Sequence, residues 1–435
     1  MSKQGQYDIP AGPRIHPLRM TWKFMRHRDT LVPALHREYG DTFSMRILPG
    51  PRTLVAFSDP ADIKEIFAAD PEQFHAGKGN EILKPVMGDK SVLLIDGADH
   101  TRARKLLMPA FTGPSMRGYE PLVEAIAKAE VDSWRGGVTL MTHDRMNAVT
   151  LDIILQVVFG VTDEARLAKL RPMVHRMVNI DAKMLLAWSY PRLFSVPPWR
   201  GYFANQSAVD ELLYDEIRER RAAKDLDGRD DVLSRLLRVG AEEGEAPLTD
   251  HELRDQLVTL LLAGHETTAS ALSWTLYELG RAPELLARAT AAADSGDEAY
   301  LDACLREGMR LHPIIDFVAR LLMSDQTVAG RRLPKGTVVT PSIMLSHSRD
   351  ANFADAHIFN PDRFIGSKPA ANTWIPFGGG VRRCIGAAFS LMEGRIVLRE
   401  ILQRFEVTAE VEAPNKLRNI TNVPANKAPL RLTSR

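Results

Sequence analysis

From Thr249 to Gly280 the chain runs without a proline, and its opening, Thr249-Asp-His-Glu252, has the spacing of a capping box. In that arrangement a threonine and a glutamate satisfy each other's backbone at a helix start. A helix over this stretch is roughly 45 Å long at about 1.5 Å per residue, longer than most globular helices. Leu257 to Gly264 is nearly all apolar, so protein or ligand must enclose the middle of the helix on every side. His265, Glu266, Thr267 and Thr268 follow directly. A fold built on this chain has to wrap other elements around one long helix and find a use for the polar groups at its centre.

Material for such a core is ample, since 45% of the 435 residues are hydrophobic and 26% charged. The 56 basic and 55 acidic residues leave a formal net charge of +1, which excludes the broad basic surface of a nucleic-acid binder. Two cysteines, Cys304 and Cys384, exclude a disulfide framework. Met1 to Arg14 is polar and carries Pro10 and Pro13, unlike a signal peptide. No apolar run reaches the length of about eighteen residues that a membrane-spanning helix needs. A soluble, cytoplasmic protein without a membrane anchor is expected.

Asp41 to Asp59 alternates apolar and polar residues on both sides of Pro49-Gly50-Pro51, which predicts a β-hairpin. Glu120 to Ala289 is mostly helical in period, with breaks at Pro191, Pro197-Pro198, Lys224 to Asp231 and Gly240 to Pro247. Short strands are expected after Arg320, around Gly330 and Pro334-Lys335-Gly336, and again over Phe405 to Val411.

The segment Phe377-Gly-Gly-Gly-Val-Arg-Arg-Cys-Ile-Gly386 sets Cys384 just before a helical apolar stripe of Ile385, Phe389, Met392 and Ile396. Unpaired N–H groups and the positive end of a helix favour a thiolate there. Gly378, Gly379 and Gly380 permit tight turns, and Gly386, lacking a Cβ, lets a flat ligand approach. A free cysteine alone reads as a small buried hydrophobe. The joint spacing of Phe377, Gly380, Arg382, Cys384 and Gly386 reads otherwise, and it resembles the cysteine loop of the cytochrome P450 superfamily.

That resemblance implies a mainly α fold with smaller β-sheets (α+β), a triangular prism-like single domain over residues 1–435 with a long central helix over the haem. Its β-rich parts fall at about 41–60, 320–345 and 405–435 and its helical parts at about 100–315 and 384–404. It implies that Cys384 is the metal ligand, that Phe377 shields the sulfur, and that Gly378 and Gly386 flank the cofactor. The absence of Cys-x-x-Cys-His predicts noncovalent haem b. Ala263-Gly-His-Glu-Thr-Thr268 is similar to the family's acid-alcohol motif: Ala263 and Gly264 leave space for dioxygen, and Glu266 and Thr267 deliver protons. The threonines can equally bond back to the preceding turn. A zinc-protease reading fails because Ala269 replaces the second histidine of His-Glu-x-x-His.

Glu307 and Arg310 lie three apart, and with Arg363 in Phe359-Asn-Pro-Asp-Arg-Phe364 they match the family's structural network supporting the cysteine loop. The resemblance assigns His100, Arg104, Arg320 and Arg382 to the haem propionates, and Cys304 stays a core residue. The implied activity is a haem-thiolate monooxygenase that consumes O2 and takes electrons from a separate ferredoxin or flavodoxin with its reductase. Arg102, Lys105 and Arg383 are expected to form a basic docking patch for that partner. Candidate pocket walls are the loop before His100, Met173 to Phe194, Val258 to Ala263, Ile314 to Val318 and the turn near Val423, rich in apolar residues that suit a steroid, terpenoid or fatty acid. Asp316 is a candidate polar anchor. A peroxide-driven peroxygenase and a haem-based sensor or carrier are the rival functions; the Glu266-Thr267 pair favours dioxygen over both.

Overall fold

The computed structural model describes residues 7–48, 52–161, 163–178, 192, 195–197, 199–242 and 244–435. Its longer helices are α1 (Pro17–Arg26), α2 (Arg28–Tyr39), α3 (Pro60–Ala68), α4 (Gly97–Leu107), α5 (Gly113–Asp132), α6 (Thr142–Phe159) and α7 (Glu164–Val178). They continue with α8 (Trp199–Arg221), α9 (Val232–Glu242), α10 (Asp250–Arg281), α11 (Pro283–Ser295), α12 (Glu298–Leu311) and α13 (Ala387–Leu402). The strands are β1 (Thr42–Ile47), β2 (Arg52–Phe57), β3 (Phe74–His75), β4 (Thr139–Met141), β5 (Arg320–Leu322) and β6 (Gln326–Val328), then β7 (Arg331–Leu333), β8 (Val338–Pro341), β9 (Phe405–Thr408), β10 (Asn415–Arg418), β11 (Thr421–Pro424) and β12 (Pro429–Ser434).

The long helix α10 starts as its sequence predicts. Thr249 accepts from the Glu252 N–H at 3.2 Å while the Glu252 carboxylate accepts from the Thr249 N–H at 2.8 Å. Leu253, Leu257, Val258, Leu261, Leu272 and Leu276 on α10 pack with Met146, Ile153 and Val157 of α6 and Ile396 and Val397 of α13 in the main core. Burying each such side chain contributes about 1.5–3 kcal/mol, so the helix centre is held by its neighbours on several sides.

Asp41 to Asp59 forms the expected hairpin, with Thr42 opposite Phe57 and Ile47 opposite Arg52; its turn, 49–51, lies outside the described residues. The hairpin continues into a five-stranded sheet of order β1-β2-β8-β5-β3, in which β2 and β8 run parallel. A three-stranded sheet, β4-β12-β9, and the hairpins β6-β7 and β10-β11 complete the β structure. Short strands near the end of the chain exceed what alternation over Phe405 to Val411 indicated, because β10 and β11 are four residues each, the first exposed to half-buried and the second wholly buried, so neither alternates. Cys304 is fully buried in the core, where burial pushes its thiol up.

Candidate functional site

Three parts of the fold converge around the cysteine loop. The loop is closed by the Cys384 N–H, which donates to the Phe377 carbonyl at 2.9 Å. Gly378 and Gly380 both have φ +64, a backbone region that side chains resist. Gly380 also lies against α3, where a Cβ would come within 2.1 Å of the Phe67 carbonyl oxygen. The helix behind the loop, α13, begins three residues beyond the sulfur with Gly386 at its N-cap, and a Cβ at Gly386 would meet open space. Cys384 is exposed, yet burial pushes its thiol up. The Gly386 N–H, Arg383 and Arg104 act in the opposite direction without reversing the shift. A thiol reachable by solvent and still heavily desolvated sits at the bottom of a recess. The helix end alone therefore does not make the thiolate, whereas a cation bound at the sulfur would favour it.

Beside the loop, His100, Arg104, Arg320 and Arg382 come together from α4, β5 and the loop itself. Burial, then Arg382, Arg104 and Arg320, pull the His100 imidazole down to about 4, so it is neutral in this setting; Asp96 opposes them. Arg320 and Arg382 are each brought down to about 10, first by burial and then by a neighbouring guanidinium. Arg382 donates to the carbonyls of Val92 and Ile95 and pairs with Asp96. Buried cations that repel one another form a site for anionic groups.

On the far side, α10 is open at its centre. Ala263 is exposed and Gly264 and Thr267 are half-buried, although Leu261, His265, Glu266 and Thr268 around them are buried. Thr268 Oγ1 lies 3.1 Å from Ser390 Oγ on α13, which ties this part of α10 to the helix that follows Cys384. Thr267 donates to the Ala263 carbonyl at 2.7 Å, the back-bond open to any mid-helix threonine, and its oxygen keeps accepting capacity. His265 is a structural residue: its Nδ1 is 3.0 Å from the Leu261 carbonyl and burial takes it down to about 4. Burial also raises Glu266, while Arg418 of β10, with Nε 3.2 Å from Glu266 Oε1, holds it down. That contact is an ion pair without hydrogen-bond alignment, since Glu266 Oε1 has no bonded donor.

Glu307, Arg310 and Arg363 form one buried network. Arg310 makes a two-pronged contact with Glu307, at 2.7 and 2.8 Å, and both side chains are 0% exposed. Arg363 Nε reaches the same carboxylate at 3.3 Å, and the Asn360 N–H donates to it at 2.8 Å. Arg310 further donates to the carbonyls of His347, Ala356 and Ile358. His347 passes the constraint on, because its Nε2 accepts from the Ile375 N–H, two residues before Phe377.

Three expectations need correction. Asp316 is not available as a substrate anchor: Arg28 pairs with one carboxylate oxygen at 3.2 Å and Asn422 donates to the other at 2.5 Å. Gly264 does not open space toward a ligand, because a Cβ there would come within 2.6 Å of Ile154 Cδ1; its smallness lets α10 approach α6. The basic patch is largely neutralised, with Arg102 paired to Glu252 at 2.8 Å and Lys105 to Glu245 at 3.1 Å. Of the candidate wall Met173 to Phe194, positions 179–191, 193 and 194 lie outside the described residues.

Pattern reading missed His347, Arg418 and Glu393. Glu393 is 1% exposed on α13, neither carboxylate oxygen has an assigned donor, and burial drives it well above the usual carboxylate range, countered by Thr268. Its signal was in the sequence: it interrupts the apolar stripe between Phe389 and Ile396.

Residues 10–432 match the family described as Cytochrome P450, and the chain belongs to that family. It is a haem-binding oxidoreductase of the monooxygenase type. A protein of Mycobacterium tuberculosis named provisionally as cytochrome P450 135A1 is 49% identical over 429 residues, covering 98% of this chain and 95% of its own. One of Mycobacterium bovis, named in the same way as cytochrome P450 135B1, is 40% identical, with 99% and 93% covered. The fold matches retinoic acid-bound cyanobacterial CYP120A1 with a TM-score of 0.85 at 23% identity, over 99% of this chain and 100% of the other. It matches the haem domain of cytochrome P450DA with a TM-score of 0.83 at 26% identity, over 99% and 98%.

The residues present fit the family's haem. The sulfur is accessible in its recess, Gly386 leaves a flank open, and His100, Arg104, Arg320 and Arg382 gather donors beside it with Asp96 as their one close carboxylate among the described residues.

Proposed function

We propose that the protein is a single haem b domain over 1–435 that inserts one atom of O2 into a lipophilic small molecule of the steroid, terpenoid or fatty-acid class. Electrons would come from a cytoplasmic ferredoxin or flavodoxin with its reductase. The observation that carries the substrate class is the state of the segment Ile314 to Val318. Ile314, Ile315, Phe317 and Val318 are half-buried and apolar, while the charge among them, Asp316, is turned to Arg28 and Asn422.

When bound, haem supplies oxygen binding and O–O cleavage, which a thiolate donor favours. Cys384 would hold its iron, Phe377, Gly378 and Gly386 would flank it, and His100, Arg104, Arg320 and Arg382 would take its propionates. Ala263 would border the oxygen site. Burial raises the pKa of Glu266, which suits it to hold and pass on a proton, and Thr267 Oγ1 would receive that proton's hydrogen bond.

The reduced carbon monoxide complex is expected to show the red-shifted Soret band of thiolate ligation, and a lipophilic library is expected to shift the iron's spin state on titration. A normal, unshifted band would overturn the assignment of Cys384. Robust turnover with peroxide and none with a reductase system would favour the peroxygenase reading.

Arg418 supplies a sharper check on Glu266. Burial raises the carboxyl's pKa and Arg418 lowers it, so Arg418→Gln leaves burial opposed by Thr421 alone. The Glu266-dependent limb of the pH–rate profile should then move to higher pH, by about one unit for an ion pair of about 1.4 kcal/mol. An unmoved limb would remove Glu266 from proton delivery.

A further inference from the structure

Helix α1 carries two apolar faces, and the fold uses one of them. Met20 and Phe24, 1% and 4% exposed, pack in a cluster with Val32, Leu35, Phe43 and Met45. Leu18, Trp22 and Met25 turn outward, at 63%, 57% and 43% exposed. Their spacing of four and three residues sets them in one stripe along the helix. Arg19, Lys23 and Arg26 flank the stripe, and no acid lies in the helix. Arg14, just before it, is exposed as well. The nearest acids in sequence are engaged elsewhere: Asp8 pairs with Arg331 at 3.0 Å, and Asp29 accepts from the Thr30 N–H at 3.0 Å.

Single exposed apolar residues are ordinary, but a row of three that includes tryptophan has a cost in water and needs an occupant. The flanking cations select among occupants. A second copy of this chain would set Arg19, Lys23 and Arg26 against their own counterparts, which like-charge repulsion opposes. A lipid surface with anionic headgroups satisfies both features at once: the stripe enters the boundary between headgroups and acyl chains while the cations stay at headgroup level. Tryptophan prefers that depth, with its ring in the apolar zone and its N–H toward water. The helix begins with Pro17 and a side-chain cap from His16 and is anchored underneath by Met20 and Phe24, so its outward face is presented ready-formed.

We propose that α1 is a peripheral membrane-binding element that rests in the plane of an anionic lipid surface. Among the described residues no single helix is long and apolar enough to cross a membrane, and the proposed contact is made by α1 lying in the surface. A helix of ten residues with three inserted side chains gives reversible attachment. The inference is independent of the haem assignment, since none of these residues belongs to the candidate site.

The test is co-sedimentation of the full-length holoprotein with vesicles of phosphatidylglycerol and phosphatidylcholine, compared with phosphatidylcholine alone. Binding is expected on the anionic vesicles at low salt, and it should weaken on neutral vesicles and at high salt. Leu18→Ser, Trp22→Ser and Met25→Ser combined should abolish it while leaving the haem spectrum and turnover of a soluble substrate unchanged. Lys23→Glu with Arg26→Glu should weaken it by about fivefold or more per residue, from about 1 kcal/mol for each cation near such a surface. Failure of the wild type to bind anionic vesicles overturns the proposal, and so does undiminished binding by the triple serine variant. Concentration-dependent dimers that the serine variant abolishes, without vesicle binding, would assign the stripe to a second copy instead.

Discussion

Cys384→Ser is expected to remove both the red-shifted carbon monoxide band and product formation, while the fold around it survives. A serine hydroxyl is nearly the size of the thiol, so the loop closed by the Cys384 N–H and the Phe377 carbonyl at 2.9 Å is kept. The lost property is chemical. A thiolate is a soft, strongly donating ligand, whereas a serine hydroxyl stays protonated at neutral pH and binds iron weakly. Burial already pushes the Cys384 thiol up, against the pull of the Gly386 N–H, Arg383 and Arg104. An oxygen acid far weaker than a thiol has no means of ionising in the same recess. Turnover should fall by about a hundredfold or more, as removal of a principal charge-stabilising group does elsewhere. The checks are the reduced carbon monoxide spectrum and product per electron consumed. Retention of the band and of turnover by the variant would show that another residue holds the iron.

The parts of this protein legible in the sequence are those whose chemistry is local. The capping box at Thr249 and Glu252, the helix that follows it and the contact of Glu307 with Arg310 three residues on all join neighbours on one helix turn. The cysteine loop is likewise short and crowded with glycine. What sequence could not show is which distant group answers a polar residue. Asp316 among apolar neighbours looks like a ligand contact until Arg28, 288 residues away, is found against it, with its guanidinium over the rings of Phe24 and Phe317. Glu266 is singled out by its motif, but Arg418, which opposes the effect of burial on it, sits in a four-residue strand with no motif of its own. Gly264 carries the same lesson, since spacing cannot tell a glycine that admits a ligand from one that admits Ile154. Arg102 and Lys105 read as a patch only until their carboxylates, Glu252 and Glu245, fold back onto them.

Glu307→Ala is expected to destabilise the protein by about 3–5 kcal/mol and to cost it haem before it costs it chemistry. The reason lies in what remains. With the carboxylate gone, Arg310 is a guanidinium at 1% exposure with no anion opposite, and the Asn360 N–H loses its acceptor. Three backbone carbonyls, of His347, Ala356 and Ile358, still accept from Arg310, but they offer dipoles where a full charge stood. The damage travels, because His347 holds the Ile375 N–H and Ile375 leads into the cysteine loop. Arg310→Met leaves the complementary orphan, a buried carboxylate that Arg363 covers from one side at 3.3 Å. Removing both charges together leaves no orphan ion, so the double variant should be less destabilised than the sum of the two single ones, by about 1–3 kcal/mol of coupling. Urea unfolding of the holoprotein, with the ratio of Soret to protein absorbance as a second reading, measures both effects. Additive losses would show that the two residues act separately, and full haem retention in Glu307→Ala would disconnect the network from the cysteine loop.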